Sequence, residues 1–595
     1  MGAEAHQSSG IDSAVRARLE STLAMQRAAF LAHPVPTLAE RKADLRAVQR
    51  FVRDNKEGII AAICADYGNR SRHETLFAEI FTAIDGVDHA IRHLGRWMKP
   101  QRRHVDWRNF PGAKNVVIPQ PLGVVGVIVP WNFPLNLSIL PLVSIFAAGN
   151  RAMVKMSGNS HHLAQLMLEK MPAYLPQEKL AIFDDPGGVG VEFSRLPFDH
   201  LLFTGSSETG RSVMAAAARN LCPVTLELGG KSPAVVCDDY PLAKAAERIL
   251  FVKLFNAGQI CTTVDHVFVP EAKVDEFVAL ARQIVPARYP RLDSPDFTSL
   301  IDERAFRRIT AALADARSRG ATLVQLIPGE PWNDATRKIA PHLVLDFPED
   351  CELATREIFG PVLPVHRYRS LEEVIGHVNA QPRPLALYPF SNDAARVQML
   401  LDRVMSGGVS VNDALFHVAQ HDLPFGGVGA SGMGHYHGYE GFLAFSKLRP
   451  VFHQASFSAM KFLAPPYGRF ATALLNFLFL IVLRRPGVSA VLSLALVAIL
   501  ITLSQFKYGI TQLTLTFLDF LIIDRDTISF LHSIFPQLKT QSWIFAAIAA
   551  PVMWVIWRTD PFRVRRAVST AGAVACVAAI TGLSVIYPEQ PWEPF

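Results

Sequence analysis

The chain has few cysteines, little net charge and no repeats, and each scarcity excludes something. Its 595 residues include six cysteines (Cys64, Cys222, Cys237, Cys261, Cys351 and Cys576), none in a CxxC pair. That spacing argues against a cysteine-built zinc site and a dense disulfide framework and suits a reducing compartment, so no metal is expected. The formal net charge is only +6, and no motif interleaves aromatic with basic residues. Nucleic acid is therefore not an expected partner. The opening Met1-Gly-Ala-Glu-Ala-His6 lacks a basic stretch followed by an apolar one, and no cleaved signal peptide is expected. There is no internal repeat and no low-complexity tract.

What is present is unevenly spread. The length exceeds one ordinary core and predicts two or more domains. Residues 1–460 carry charge throughout with Gly and Pro punctuation, whereas from about Phe462 the chain turns strongly apolar. Apolar residues recur at three- and four-residue spacing from Val15 to Met25, Leu38 to Cys64 and Leu76 to Trp97, predicting helices over residues 12–100. Asn115 to Ile118 and Gly123 to Val129 are β-branched runs bounded by Pro and Gly. A strand at Arg151 to Lys155, a helix from His161 to Met171 and a strand at His200 to Phe203 follow. A second α/β unit is expected after Leu228-Gly-Gly230, with strands at Pro233 to Val236 and His266 to Val269 and helices from Val274 to Val285 and Asp302 to Arg319. This alternation predicts mainly parallel sheets covered by helices, with ligands at the carboxyl ends of strands.

One pair of residues carries most of the chemical information. Cys261 stands in Phe255-Asn-Ala-Gly-Gln-Ile-Cys-Thr-Thr263, and Glu227 precedes it by 34 positions in Leu226-Glu-Leu-Gly-Gly-Lys-Ser-Pro233. A thiol nucleophile and a carboxylate base can together make and hydrolyse a thioester. Pro130-Trp-Asn-Phe-Pro134 presents Asn132 on a loop fixed by two prolines, where its amide could stabilise an oxyanion; an Asn satisfying its own turn is the plain alternative. Phe203-Thr-Gly-Ser-Ser-Glu-Thr-Gly210 is a Gly-bounded turn from strand to helix, suited to a phosphate. Glu357-Ile-Phe-Gly-Pro361 offers a carboxylate for a ribose hydroxyl and an aromatic for a flat ring, and Lys155 ends a strand within reach of a ribose or phosphate.

Taken together, Leu226-Glu-Leu-Gly-Gly-Lys231, Gly258-Gln-Ile-Cys261, Pro130-Trp-Asn-Phe-Pro134 and Glu357-Ile-Phe-Gly-Pro361 resemble the aldehyde dehydrogenases over roughly residues 12–455. The short N-terminus and Asp422-Leu-Pro-Phe-Gly-Gly-Val-Gly-Ala-Ser-Gly-Met-Gly-His-Tyr-His-Gly438 are similar to the class 3 and fatty-aldehyde branch, and within it to coniferyl aldehyde dehydrogenases. The resemblance implies an α/β fold with a Rossmann-like cofactor domain (residues 1–228, completed by part of 413–455), a catalytic domain (229–412) and a return segment (413–460). It implies Cys261 as nucleophile, Asn132 and the Cys261 N–H at the oxyanion, and Glu227 activating water. It also implies NAD or NADP as cofactor, with Lys155 at the adenosine ribose, Gly205, Ser206 and Gly210 at the pyrophosphate turn, Glu357 at the nicotinamide ribose and Phe359 at the ring. A homodimer is implied as well.

Two departures stand out. The family's usual Lys-Pro-Ser-Glu reads Lys155-Met-Ser-Gly158 here. With Gly158 a carboxylate that would repel a 2′-phosphate is gone, so NADP is expected to be accepted alongside NAD. Thr263-Val264 stands where Ala-Pro is common.

The apolar tail, residues 461–595, is expected to be a helical membrane region. Residues 487–506 carry no charge, and at ~1.5 Å per residue such a run spans ~30 Å, one bilayer core. Residues 542–557, with tryptophans at both ends, and 567–587 are two further candidate spans. Phe470 to Leu483 reads as an interfacial helix, and Leu513 to Ile523 as re-entrant or surface-lying. Arg484-Arg485 and Arg558 to Arg566 place both basic clusters, and the enzyme unit, on the cytoplasmic side of a bacterial inner membrane. The expected activity is oxidation of a lipophilic or aromatic aldehyde. A semialdehyde dehydrogenase for small polar acids and a non-catalytic membrane scaffold are the alternatives.

Overall fold

The computed structural model describes residues 13–107, 110, 112–456, 469–511, 533 and 536–586. It divides into a unit formed by Met1–His104 with Lys114–His453 and a second formed by Val105–Ala113 with Gln454–Phe595.

Two sheets organise the first unit. One runs Gly432–Met433, Val224–Glu227, His200–Thr204, Val124–Ile128, Arg151–Lys155, Leu180–Phe183, with all neighbours parallel except the antiparallel Gly432–Met433 edge. The other runs Thr322–Gln325, His342–Leu345, Val362–Tyr368, His266–Pro270, Pro233–Val236, Ala386–Phe390, Gly408–Val409, parallel apart from its first pair. Strands covered on both faces need apolar residues at every position rather than at alternate ones. Val124–Ile128 and Pro233–Val236 are accordingly buried throughout. Glu227 ends a strand of the first sheet, and His266 begins one of the second.

Two features depart from the expected pattern. Gln101–Arg103, Lys114–Pro121 and Ser446–His453 form a separate antiparallel ribbon; Gln-Arg-Arg has no apolar alternation, and its pairing rests on backbone bonds that side-chain pattern does not reveal. The helical stretch after Arg72 is also not uniform. A π-helical turn, Leu76–Phe81, separates Arg72–Thr75 from Thr82–Trp97. Such turns break the regular spacing of side chains and often mark functional sites.

The helix Asn136–Ala147, buried from Ser138 to its end, follows directly on the loop that carries Asn132. Its last carbonyl, Ala147 O, accepts a 3.0 Å bond from Arg41 Nη1. Arg41 is itself buried, which pulls its guanidinium down to about 10. Capping of orphan carbonyls offsets that burial. Gly149, at φ +91°, turns the chain away, and a Cβ there would sit 2.8 Å from Arg41 Cζ and 2.9 Å from Pro121 Cγ.

In the second unit the helices Arg469–Leu483, Pro486–Thr511, Pro536–Thr559 and Arg566–Ile586 contain the expected interfacial helix and spans 487–506, 542–557 and 567–586. Tyr587 and Leu513 to Ile523 lie outside the described residues. Among the described residues one helix, Pro486–Gln505, is long and apolar enough to cross a membrane. The apolar helix Trp543–Thr559 is shorter, and its 17 residues extend only ~25 Å. Three membrane spans are therefore not established. Arg484 donates to Val564 O at 3.0 and 2.8 Å, Asp560 Oδ2 accepts from Val488 N at 3.0 Å, and the Arg485 guanidinium lies 4.6 Å from the Trp557 ring centre. These contacts bring residues 484–488 beside 557–564.

Gly149→Ala is expected to lower stability by about 1–3 kcal/mol, through the positive φ and the crowding at Arg41. It should appear as a lower denaturant midpoint at unchanged slope.

Candidate active site

Cys261 follows a turn of unusual backbone shape. The helix Leu242–Leu254 ends, and Asn256, Ala257 and Gly258 take φ of 52°, 50° and 77°. For Ala257 that left-handed conformation costs roughly 1–2 kcal/mol. Gly258 has no alternative, since a Cβ would lie 2.3 Å from Gly360 O. Side chains bolt the turn in place. Asn256 N donates to Glu74 Oε1 (3.0 Å), Gln259 Nε2 to Asn256 O (3.0 Å) and Ser299 O (3.1 Å), and Ile301 N to Gln259 Oε1 (3.0 Å). Thr263, at one of the sequence departures, donates its hydroxyl to Val252 O (3.2 Å), and Val264 is wholly buried. The Tyr388 hydroxyl donates to Thr262 O, next to the cysteine.

Asn132 belongs to the same network. Its Nδ2 donates to Gln259 O at 3.2 Å, and its own carbonyl accepts from Tyr67 Oη (3.0 Å), Arg70 Nη1 (2.8 Å) and Asn256 Nδ2 (3.3 Å). The Arg70 guanidinium is fully buried, 3.2 Å from Glu79 and over the rings of Tyr67 and Phe133. Glu79 Oε2 accepts from Asn136 N at 2.7 Å, at the start of the next helix. The π turn thus supplies the carboxylate that fixes both Arg70 and the helix following the Asn132 loop.

Glu227 is buried with neither carboxylate oxygen hydrogen-bonded, and burial raises it well above the usual carboxyl range. Burial, with the charges of Glu357 and Glu227, pushes the half-buried Cys261 thiol up to about 12. Tyr436 shares this field: its hydroxyl is buried and without a partner, and burial raises it, with Glu227 and Cys261 adding to the effect. Cys261 lies in the wall of a cleft. Phe77, Phe133, Leu137, Leu140, Phe255, Leu415, Phe416, Phe425 and Tyr436 line it with Cys261, and among the described residues no Arg or Lys does. His437, also in the wall, is pulled down to about 3 by burial and is neutral at pH 7.

The expected nucleotide contacts fall at strand ends and turns. Glu357 is half-buried with its Oε1 atom buried and unpartnered, and desolvation with the Asp265 charge raises it to about 8. Gly229 is required beside it, because a Cβ would lie 2.0 Å from Glu357 Oε2. Asp265 accepts from Ile358 N at 2.8 Å and pairs with Lys231, so the residue between Glu357 and Phe359 is pinned. Phe359, at φ 51°, meets Trp131 edge-on at 5.5 Å. Ser206 caps the helix Ser207–Ala218 by accepting from Thr209 N, and Gly205 N donates to Glu227 O at 2.9 Å. Gly210 packs against Leu228, where a Cβ would come within 2.7 Å; that contact serves helix–strand packing. Lys155 Nζ lies 2.6 Å from the carboxylate of Asp185, whose carbonyl oxygen would be 2.8 Å from a Cβ at Gly158.

A family model described as the aldehyde dehydrogenase family matches residues 4–451. The chain belongs to that family. It is 48% identical over 463 residues to a "Probable coniferyl aldehyde dehydrogenase" of Pseudomonas aeruginosa, covering 78% of this chain and 96% of that one. It is 43% identical over 465 residues to a "Coniferyl aldehyde dehydrogenase" of a Pseudomonas species, with the same coverage. A solved structure of Staphylococcus aureus AldH in a substrate-bound state superposes with a TM-score of 0.71 at 31% identity, covering 77% of this chain and 98% of that one.

This aldehyde dehydrogenase uses NAD or NADP. The orphaned Glu357 Oε1 fits a nucleotide whose ribose hydroxyl would complete it. The structure brings Asn132, Glu227 and Cys261 into one hydrogen-bonded and electrostatic neighbourhood. Sequence reasoning missed Tyr436, which stands inside the quoted Gly-His-Tyr-His-Gly segment, and also Glu74, Arg70 and Asp185. A Tyr between two His residues was a signal for the first; the others left none.

Glu227 and Glu357 hold protons in the folded chain that the unfolded chain releases above the ordinary value of 4.5. Stability should therefore fall as pH rises from about 4.5 through about 8. Glu227→Gln, which has no proton to lose, should match the parent near the acid end of that window and exceed it in thermal midpoint at the alkaline end.

Proposed function

We propose that this aldehyde dehydrogenase oxidises aromatic aldehydes of the coniferyl type to carboxylic acids, with Cys261, Glu227 and Asn132 in the roles their family motifs imply. The aromatic-walled cleft at Cys261 carries the reading. A flat, mainly apolar substrate fits it, whereas a small carboxylated semialdehyde would find no lining Arg or Lys to receive its charge. The names borne by the two Pseudomonas relatives point the same way. A non-catalytic scaffold would have no use for Glu227, a buried carboxyl without a partner.

In this mechanism Glu227 first gives up to solvent the proton that burial makes it hold, and its carboxylate then takes the proton of the Cys261 thiol, itself a weak acid here. Sulfur bonds to the aldehyde carbon, and the carbonyl oxygen takes up negative charge opposite the Asn132 amide and the Cys261 N–H. One Asn132 N–H is held by Gln259 O, which aims the other. Glu357 and Phe359 would hold the nicotinamide, which when bound would supply the acceptor for the aldehyde hydride. Loss of that hydride leaves a thioester on Cys261. Glu227, having passed that proton to solvent, takes one from water as the water oxygen attacks the thioester carbon. The C–S bond breaks, the departing Cys261 thiolate takes the proton back from Glu227, and the acid leaves.

Either nucleotide is accepted in this reading. Gly158 removes one carboxylate, while Asp185 holds Lys155 until a phosphate competes for it.

We also propose that the tail anchors the enzyme in a bacterial inner membrane through Pro486–Gln505 and its neighbouring helices, with the dehydrogenase unit cytoplasmic and dimeric. The outward apolar side chains of Leu494, Trp543, Ile548 and Trp554 support this. So does the placing of Arg484 and Arg485 beside 557–564, which puts the basic residues at one end.

Kinetics with cinnamyl-type, long-chain and short carboxylated aldehydes, each with NAD⁺ and NADP⁺, test the catalytic reading. The highest kcat/KM should belong to the cinnamyl type, with the two nucleotides within about a hundredfold, ~2.7 kcal/mol. Cys261→Ala should lose at least about a thousandfold; full activity in that variant, or a preference for carboxylated aldehydes, overturns the reading. For the tail, the full chain should sediment with membranes, while a chain ending at Ser456 should be soluble, dimeric by sedimentation and active. Recovery of the full chain in the supernatant would end the anchoring proposal.

A further inference from the structure

Away from the cleft, three imidazoles meet between the second sheet and a helix laid against it. His266 opens the strand His266–Pro270, His366 lies on the neighbouring strand Val362–Tyr368 in register with Phe268, and His377 is on the helix Leu371–Asn379. Positions 266 and 268 share a face of their strand. The ring centres are 5.2 Å apart for His266 and His366, 4.7 Å for His366 and His377, and 6.2 Å for His266 and His377. One nitrogen from each lies within 4.8 Å of the others. The Glu349 carboxylate lies beside two of them, 3.8 Å from Nδ1 of both His366 and His377.

The buried member of the group is incomplete. His266 is 2% exposed, and neither ring nitrogen has a hydrogen-bond partner; the Asp265 carboxylate, 3.7 Å from Nδ1, is too distant. A buried polar ring with both nitrogens unmet is costly unless something completes it. Phe268 stacks on His366 at 4.8 Å and fixes the ring. Lys231, the nearby cation, is already paired with Asp265.

We propose that His266, His366 and His377, with Glu349 as fourth donor, bind one divalent transition-metal ion, and the three-imidazole, one-carboxylate set suits zinc. Zn–N bonds of about 2.0–2.1 Å bring tetrahedral donors to roughly 3.4 Å from one another. Reaching that geometry from a 4.8 Å separation asks for a closure of up to about 1.4 Å; the exposed Glu349 and part-exposed His377 side chains can contribute to it and also give the ion its path from solvent. The bound ion ties the helix Leu371–Asn379 to the sheet. Through His266 it adjoins Asp265, which pins Ile358 between the two expected nicotinamide contacts. The cysteine spacing that argued against zinc says nothing about histidines 100 and 111 positions apart from His266.

The test uses Zn²⁺ itself on the full chain, chelator-stripped in detergent, in a Cys261→Ala background so that the thiol does not compete. Calorimetry and metal analysis should give one ion per chain, a raised thermal midpoint, and visible tetrahedral bands when Co²⁺ replaces Zn²⁺. His377→Ala and Glu349→Ala, on exposed elements that leave the core packed, should each weaken binding by at least about tenfold. His89→Ala, in the separate cluster with His93 and His421, should leave it unchanged. Absence of stoichiometric zinc, equal affinity in His377→Ala and Glu349→Ala, or a loss confined to His89→Ala overturns the proposal.

Discussion

The turn Asn256–Ala257–Gly258 holds three consecutive left-handed residues in front of Cys261, and the active site is arranged around keeping it there. Such a run is unfavourable alone. It persists because Glu74 receives its first amide, Gln259 ties its carbonyls to Ser299 and Ile301, and Gly258 presses on the Gly360 backbone without room for a methyl group. The same Gln259 carbonyl receives the Asn132 amide. Nucleophile and oxyanion donor are therefore positioned by one network, which reaches through Arg70 and Glu79 to the π turn and the helix after the Asn132 loop.

Electrostatics set the second constraint. Glu227, Glu357 and the Cys261 thiol all resist ionisation because desolvation outweighs the few donors and cations within reach, of which Glu227 has none. An apolar cleft wall strengthens each effect by keeping water away. The proposed chemistry needs these groups reactive rather than stable, and the fold carries them as local losses offset by two well-covered parallel sheets.

Much of this was readable in the chain. The strands Val124–Ile128, Arg151–Lys155, His200–Thr204, Pro233–Val236 and His266–Pro270, the helices Val274–Arg288 and Glu303–Ser318, and the segments bearing Cys261, Glu227, Asn132 and Glu357 announce themselves locally, through periodicity or Gly and Pro spacing; Leu180–Phe183, Thr322–Gln325, His342–Leu345, Val362–Tyr368 and Ala386–Phe390 did not. Of the antiparallel ribbon, Asn115 to Ile118 was legible within Lys114–Pro121, but Gln101–Arg103 and Ser446–His453 were not, since their pairing rests on backbone bonds, in the second case across more than 300 positions. Gly210 illustrates a subtler gap. Its place in the turn suggested a phosphate, while its contact with Leu228 shows a packing requirement. In the tail, composition marked three apolar runs, but length and apolarity taken together leave Pro486–Gln505 as the one helix among the described residues that meets the requirement for a span.

By itself the sequence determined the kinds of reacting groups and the order of strands and helices, since residue identity and short-range spacing are local properties. Tertiary structure alone decided how strongly those groups hold their protons, which aromatics wall the cleft, and that His266, His366 and His377 converge beside Glu349. Burial and through-space distance govern all three, and both arise only when segments far apart in the chain are brought into contact.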